Sequence, residues 1–263
     1  MTTILQLSDT HILRQGALVS SRLDTADTLT RLVTRINSIR SQIGPVDALL
    51  ISGDLSDDGS AESYARLKTL IAPLDLPTYV IAGNHDARAP MRAAFANDLP
   101  VHGPLNWRRR IGDIQLIGLD TLVEGQAAGT LSSDSLSFLQ GALSDAAGSP
   151  VLLALHHPPF ACGIGFLDEI GLTNRQALHD IVAGYPGELR IVCGHIHMMA
   201  VSDVAGHIAI SAPSPCSSFA YDRRRNAPVG FMAQEDGFLL HRWEGGFQSI
   251  RIAPVAGSGP FPF

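Results

Sequence analysis

Thr78-Tyr79-Val80-Ile81-Ala82-Gly83-Asn84-His85-Asp86 is an apolar run that stops on a glycine and three polar side chains. A short run of this kind, bounded by turn residues, reads as a buried strand whose C-terminal end carries the polar group. The same pattern recurs along the chain. Residues 4–7 lead into Ser8-Asp9-Thr10-His11, residues 48–52 into Gly53-Asp54, residues 151–155 into His156-His157, and residues 189–193 into Gly194-His195-Ile196-His197. A sixth run, residues 114–119, ends at Asp120.

Helical spacing fills the gaps between these strands. Residues 23–39 place Leu29, Leu32, Val33 and Ile36 on one face. Residues 61–71, 90–95, 133–143 and 174–182 read similarly, the 133–143 helix capped by Ser132 or Ser133. After His197 the pattern changes to strands at 201–204, 207–211, 230–234, 237–243 and 247–252, joined by Ala205-Gly206, Glu235-Asp236-Gly237 and Gly245-Gly246. Tight turns of that composition predict a mainly antiparallel layer. Apolar strands need cover on both faces. The expected fold is therefore α/β (α+β): a four-layer αββα sandwich of two packed mixed sheets flanked by helices, with a dinuclear metal site at strand C-terminal ends. Residues 1–255 read as one domain. The Gly- and Pro-rich tail, residues 256–263, reads as flexible, or as docking its Phe side chains on this or a neighbouring subunit.

Composition narrows the function classes. The 263-residue chain carries a net charge of -6, which argues against broad attachment to nucleic acid. No apolar run is long enough to span a bilayer, and no secretory signal is legible at the N-terminus, so a cytoplasmic location is expected. The cysteines Cys162, Cys193 and Cys216 are widely spaced, without the Cys-x-x-Cys of a zinc or redox motif, and read as reduced thiols. Arg108-Arg109-Arg110 and Arg223-Arg224-Arg225 read as solvated surface or as phosphate-binding groups. Neither a Gly-x-Ser-x-Gly elbow nor a P-loop is present.

Asp, Asn and His delivered from several strand ends form a nitrogen and oxygen set suited to divalent first-row metals. A carboxylate can bridge two ions, and Asp54, behind Gly53, is the candidate bridge. Asp9 and His11 are two residues apart, His195 and His197 repeat that spacing, and Asn84 adds an amide oxygen. Two divalent ions would outweigh the Asp9 and Asp54 carboxylates and make a cationic pocket in an acidic protein. Water shared by two such ions loses a proton near neutral pH and becomes a hydroxide nucleophile.

The ordered set Asp9-Thr10-His11, Gly53-Asp54, Gly83-Asn84-His85-Asp86, His156 and Gly194-His195-Ile196-His197 resembles the calcineurin-like metallophosphoesterases. The opening Leu7-Ser8-Asp9-Thr10-His11, His156-His157-Pro158-Pro159 and Ser211-Ala212-Pro213-Ser214-Pro215-Cys216 look most like bacterial class III cyclic nucleotide phosphodiesterases and related glycerophosphodiesterases. The resemblance implies one metal on Asp9, His11, Asp54 and His197, and another on Asp54, Asn84, His156 and His195. His157 is the alternative to His156, since adjacent strand residues face opposite ways. His85 resembles the family histidine that contacts the substrate phosphate and protonates the leaving oxygen. Asp57 reads either as the carboxylate that orients His85 or, with Asp58, as a polar turn or helix cap. Asp120 reads as a turn residue, and His102, His179, His207 and His241 as surface or core. Residues 160–173 are expected at the substrate rim.

The implied activity is metal-dependent hydrolysis of a small phosphodiester, cyclic AMP first. Glycerophosphodiester or broad phosphoester hydrolysis is the alternative, and a noncatalytic scaffold of the same fold the second. Manganese, iron, zinc and cobalt all suit the ligands, and relatives are often dimers or larger assemblies.

Overall fold

The computed structural model describes residues 1–234, 236–257 and 261. Every residue of β1 (Thr2–Leu7), β2 (Ala48–Ser52), β6 (Val151–Ala154) and β7 (Leu189–Cys193) is buried, so each central strand is covered on both faces. The strands form two sheets. In the first, β3 (Thr78–Ile81), β2 and β1 run parallel, and β10 (Phe238–Trp243) and β11 (Phe247–Ile252) continue it antiparallel. In the second, β5 (Ile114–Gly118), β6, β7 and β9 (His207–Ser211) run parallel, bordered by antiparallel β4 (Trp107–Ile111) and β8 (Ala200–Val204).

Helices close both outer faces. α1 (Thr25–Ser38), followed by the single turn α2 (Arg40–Ile43), turns Leu29, Leu32, Val33 and Ile36 into the first core. α3 (Ala61–Ile71) adds Tyr64 and Leu67, and α4 (Arg88–Ala94) adds Met91. Leu116, Leu152, Ala154 and Val192 of the second sheet join this same core, which therefore runs between the sheets. Their strand neighbours Ile117, Leu153 and Ile191 point the other way, against Leu139 and Leu143 of α5 (Ser133–Ala146) and Leu178 of α7 (Arg175–Val182). That alternation makes the four αββα layers. The short α6 (Gly165–Glu169) sits within residues 160–173.

Caps match local chemistry. Ser132 accepts from the Ser135 amide at the start of α5, and Ser60 from the Ser63 amide at the start of α3. Asp58 takes the Ser60 amide, so the local-turn role belongs to Asp58 and leaves the Asp57 side chain free for other partners.

A buried polar chain ties the sheets together. Arg190 donates to Ser249 Oγ (2.8 Å), which bonds His241 Nδ1 (2.8 Å), and His241 Nε2 donates to Gln6 Oε1 (2.7 Å). Gln6 Nε2 donates in turn to Ser52 Oγ and the Cys193 carbonyl. Burial, with Arg190 nearby, pushes the His241 imidazole down to about 3.

Two expectations are corrected, and one strand is found that the apolar pattern did not announce. The strands after His197 do not form a separate antiparallel layer: β8 and β9 extend the second sheet, β9 parallel to β7, and β10 and β11 extend the first. The free edges of β1 and β7 supply long-range partners that local periodicity does not encode. Residues 230–234 are not a strand: of these five only Met232 pairs, with Ser218, and the turn expected at 235–237 includes Glu235, which lies outside the described residues. Trp107–Ile111 is a strand although Arg108, Arg109 and Arg110 fill its middle. Charge on an edge strand is compatible with pairing on one side and blocks pairing on the other. Arg108 pairs with Asp145 and Arg109 donates to the Asp98 carbonyl. Of the tail, residues 258–260, 262 and 263 lie outside the described residues, and Phe261 is 76% exposed.

Among the described residues no helix is long and apolar enough to cross a membrane. Cys162, Cys193 and Cys216 are free, and Cys193 is fully buried.

Candidate metal centre

Loops leaving the C-terminal ends of β1, β2, β3, β6 and β7 meet at one edge of the sandwich. The Asp9 amide donates to the Gly53 carbonyl (3.0 Å) and the His11 amide to the Asp54 carbonyl (2.9 Å), which zips the first two loops together. Asp9, His11, Asp54, His195 and His197 all take positive φ, between 44° and 71°. Left-handed backbone costs about 1 kcal/mol at each such residue, and strain of this kind gathers at functional sites. Glycine permits the closest approach: at Gly53 (φ 99°) any Cβ would overlap the His156 ring.

The first group is Asp9, His11, Asp54 and His197, whose ligand atoms lie within 4.8 Å of one another, all buried. His11 Nδ1 donates to Asp57 Oδ1 (3.0 Å), which turns the Nε2 lone pair inward. His197 Nδ1 is held by Ser217 Oγ (2.9 Å). The two inward Nε2 atoms stand 3.2 Å apart, with Asp9 Oδ1 3.5 Å from His197 Nε2 and Asp54 Oδ2 3.6 Å from His11 Nε2.

The second group shares Asp54. His156 Nδ1 donates to the Ser52 carbonyl (2.8 Å), so its Nε2 lone pair faces Asn84 Oδ1 (3.2 Å) and Asp54 Oδ2 (3.3 Å). His195 Nδ1 lies 3.0 Å from the same Asn84 oxygen, and its buried Nε2 has no partner among the described residues. His157 lies close enough to His156 and His195 to form a third ligand group. Its nitrogens are already used: Thr121 donates to Nδ1 (2.8 Å) and Nε2 donates to the Ala127 carbonyl (3.1 Å). Between the adjacent histidines, His156 is the one with a lone pair to offer.

Lone pairs directed at oxygens across 3.2–3.3 Å repel unless positive charge lies between them. The electrostatics agree. Burial opposes charge on His156, yet Asp54 overrides it and lifts the imidazole to about 9. Burial also opposes ionisation of Asp54, but His156 and His11 hold its carboxyl well below the usual range. Asp9 is pushed up to about 6 mainly by burial, with the Asp54 charge adding to the rise. Burial and neighbouring imidazoles hold His195 and His197 well below ordinary histidine, neutral and able to donate a lone pair. The donor set fits divalent cations.

His85 stands at the margin, its side chain 41% exposed and its ring edge-on to His11. Its amide donates to Asp54 Oδ1 (2.8 Å) and its Nδ1 to the Asp57 backbone carbonyl (3.1 Å). The Asp57 carboxylate is nearer His11 (3.0 Å) than His85 (3.4 Å), so its principal partner is His11. All nine residues singled out from the sequence converge here. Asp120 does not: it accepts from Arg88 and from the Leu105 and Leu122 amides, holding a turn.

Asp86 was missed as a supporting residue. Its buried carboxylate collects the Gly83, Leu55 and Ser56 amides and the Tyr64 hydroxyl, clamping the Asp54 loop to the Asn84 loop. Burial, then the Asp54 charge, lifts it to about 6. Ser214 and Ser217 were also missed, the former donating to the Asp9 carbonyl (2.9 Å). They lie in the segment that follows β9, which ends at Ser211, and that place past a strand end was the available signal.

Two mixed sheets between helices, with paired Asp, Asn and His clusters at the strand ends, define a metal-dependent phosphoesterase. The profile of the calcineurin-like phosphoesterases matches residues 2–199, and the chain belongs to that family. It is 36% identical over 218 residues to the 3',5'-cyclic adenosine monophosphate phosphodiesterase CpdA of Pseudomonas aeruginosa, covering 82% of this chain and 77% of that one. It is 31% identical over 265 residues to the probable glycerophosphodiester phosphodiesterase GpdQ of Arcobacter nitrofigilis, covering 99% and 96%. A dimetal phosphatase from Danio rerio shares the fold, with a TM-score of 0.64 at 17% identity over 97% of this chain and 99% of that one. Divalent metal ions are the cofactor class.

Proposed function

We propose that this chain is a dinuclear-metal phosphodiesterase acting on 3',5'-cyclic nucleotides, cyclic AMP first among them. The observation that carries the proposal is the place of Asp54 Oδ2, 3.3 Å from His156 Nε2 and 3.6 Å from His11 Nε2, between two sets of inward-facing imidazoles. Asp9, His11, Asp54 and His197 would hold one divalent ion, and Asp54, Asn84, His156 and His195 the other. Bound there, the ions supply Lewis acidity toward phosphoryl oxygens and acidify water at neutral pH. Manganese, iron, zinc and cobalt all suit these ligands.

The chain's own residues arrange the rest. Asp57 and Ser52 fix the tautomers of His11 and His156, as outer partners of metal-binding imidazoles do. Asp86 holds the loops in register. His85, anchored through Nδ1, has an Nε2 without a partner among the described residues. As a water-derived hydroxide adds to phosphorus and the bond to the leaving oxygen breaks, that nitrogen in its protonated form passes its proton to the departing alkoxide, giving a phosphomonoester and a free hydroxyl, both in one molecule when the diester is cyclic.

The named activities of the Pseudomonas and Arcobacter relatives define the substrates to compare. Purified, metal-analysed protein is assayed on cyclic AMP, cyclic GMP, glycerophosphocholine and bis(p-nitrophenyl) phosphate. Cyclic nucleotides are expected to give the highest kcat/KM. Preference for glycerophosphocholine would overturn the substrate assignment, and metal-replete protein inactive on all four would point to a scaffold.

A further inference from the structure

An aromatic wall stands beside the centre, on residues no motif marks. Phe219 follows β9, and its ring centroid lies 5.0 Å from that of His197 at an interplanar angle of 48°. Phe166 of α6 meets Phe219 edge-on, 5.4 Å away at 74°. Both rings are only partly covered, at the margin of a small apolar cluster of Ile164, Leu167 and Ile196. The loops after β6 and β9 are clasped here: a Cβ on Gly163 would sit 3.3 Å from the Tyr221 hydroxyl and 3.5 Å from Arg223 Nε. Beyond Phe166 the same loops enclose a cavity of about 350 Å³ whose lining carries both signs of charge, Glu169 and Asp222 beside Arg223 and Arg225.

We propose that Phe219, backed by Phe166, is the surface against which the substrate's flat ring lies, so that the site favours phosphodiesters bearing a nucleobase or an aryl group over those bearing only glycerol and choline. Three observations converge on this. His197 contributes to the first ligand group, so the ring beside it is within reach of a substituent on a phosphoryl group bound there. Phe219 is held by Phe166 and the apolar cluster, which lowers the entropy lost when a ligand stacks on it. Its partial exposure leaves aromatic surface that the fold does not use. The chemistry recognised is a flat π-system, and its source is either a nucleobase or an aryl ester. Aromatic stacking on a base changes affinity by roughly five- to a hundredfold.

The inference rests on the phosphodiesterase reading, and the test separates the two. Metal-saturated wild type, Phe219→Leu and Phe219→Trp are compared on cyclic AMP, bis(p-nitrophenyl) phosphate and glycerophosphocholine, with metal content and thermal stability checked for each protein. Leucine keeps the apolar packing and removes the aromatic face; tryptophan keeps a ring. With Phe219→Leu, kcat/KM is expected to fall roughly tenfold for the ring-bearing diesters, mainly through KM, while glycerophosphocholine is unaffected and Phe219→Trp retains wild-type preference. A fall for cyclic AMP alone assigns the surface to the nucleobase, and a fall for both aromatic diesters assigns it to any flat ring. An equal loss on all three, or no loss on any, overturns the inference and leaves the phosphodiesterase reading intact. Wild type inactive on all three overturns both.

Discussion

Asp57→Asn separates two roles that the sequence leaves open. The substitution removes the charge 3.0 Å from His11 Nδ1 but leaves the Asp57 backbone carbonyl, which holds His85 Nδ1 at 3.1 Å. The loss should therefore fall on His11. A hydrogen bond to a charged acceptor contributes about 1.5–3 kcal/mol. Loss of an outer partner of a metal-binding histidine typically costs 10–100-fold in metal affinity, or about 1.4–2.8 kcal/mol, so the two scales agree. The expected result is a metal dissociation constant raised roughly 10–100-fold, measured by competition with a chelating dye, and activity that falls at limiting metal but returns near wild type at saturation. Unchanged metal affinity with turnover lost at saturating metal would refute this account and return Asp57 to a role through His85.

His85→Gln should lower kcat by roughly 100-fold or more with metal content unchanged; parallel loss of metal would show that His85 ligates. Gly53→Ala should displace His156, because the added methyl overlaps its ring, and bound metal measured by elemental analysis should fall below wild type. Arg88→Ala should destabilise the fold by about 3 kcal/mol in urea titrations, because Asp120, whose side chain is fully buried, loses its bidentate partner; a change under about 1 kcal/mol would mean that the pair acts like an exposed one. His241, pushed down to about 3, stays neutral in the fold. Its folded value lies below the unfolded 6.5, so the stability it contributes is present above pH 6.5 and is lost as pH falls toward 3. The loss approaches about 1.4 kcal/mol per pH unit. His241→Gln should flatten that part of the wild-type pH–stability curve, and an unchanged slope would sink the assignment.

Much of the candidate site was legible because each candidate ligand lies just behind an apolar run: Ile51 precedes Ser52-Gly53-Asp54, and Ile81 precedes Ala82-Gly83-Asn84. Parallel strands bring such ends to one edge, so local pattern and global geometry coincide. The αββα layering was legible for the same reason, since runs buried on both faces demand cover on both. Sheet membership after His197 was not, because the edge that β10 finds on β1 lies more than two hundred residues away in the chain. β4 was hidden because its arginines break the apolar pattern while Trp107 alone buries and donates to the Val80 carbonyl. Asp57 was ambiguous because spacing shows that a carboxylate is near His85, whereas the choice of His11 depends on the left-handed turn at that residue. The His156 and His157 alternatives separate only once Thr121 and Ala127 are seen to occupy both nitrogens of His157. Phe219 carries no motif, and its place beside His197 arises from the path of a loop.

Asp54 and its neighbouring imidazoles would hold the two divalent ions that drive phosphodiester hydrolysis. A titration of chelator-stripped protein with manganese tests this, following bound metal and cleavage of cyclic AMP and bis(p-nitrophenyl) phosphate in the same samples, with Asp54→Asn alongside. Hydrolysis is expected to rise with occupancy and to saturate at two ions per chain, while the variant binds more weakly and stays inactive. Full hydrolysis by stripped protein, or none by wild type carrying two ions, would contradict that assignment.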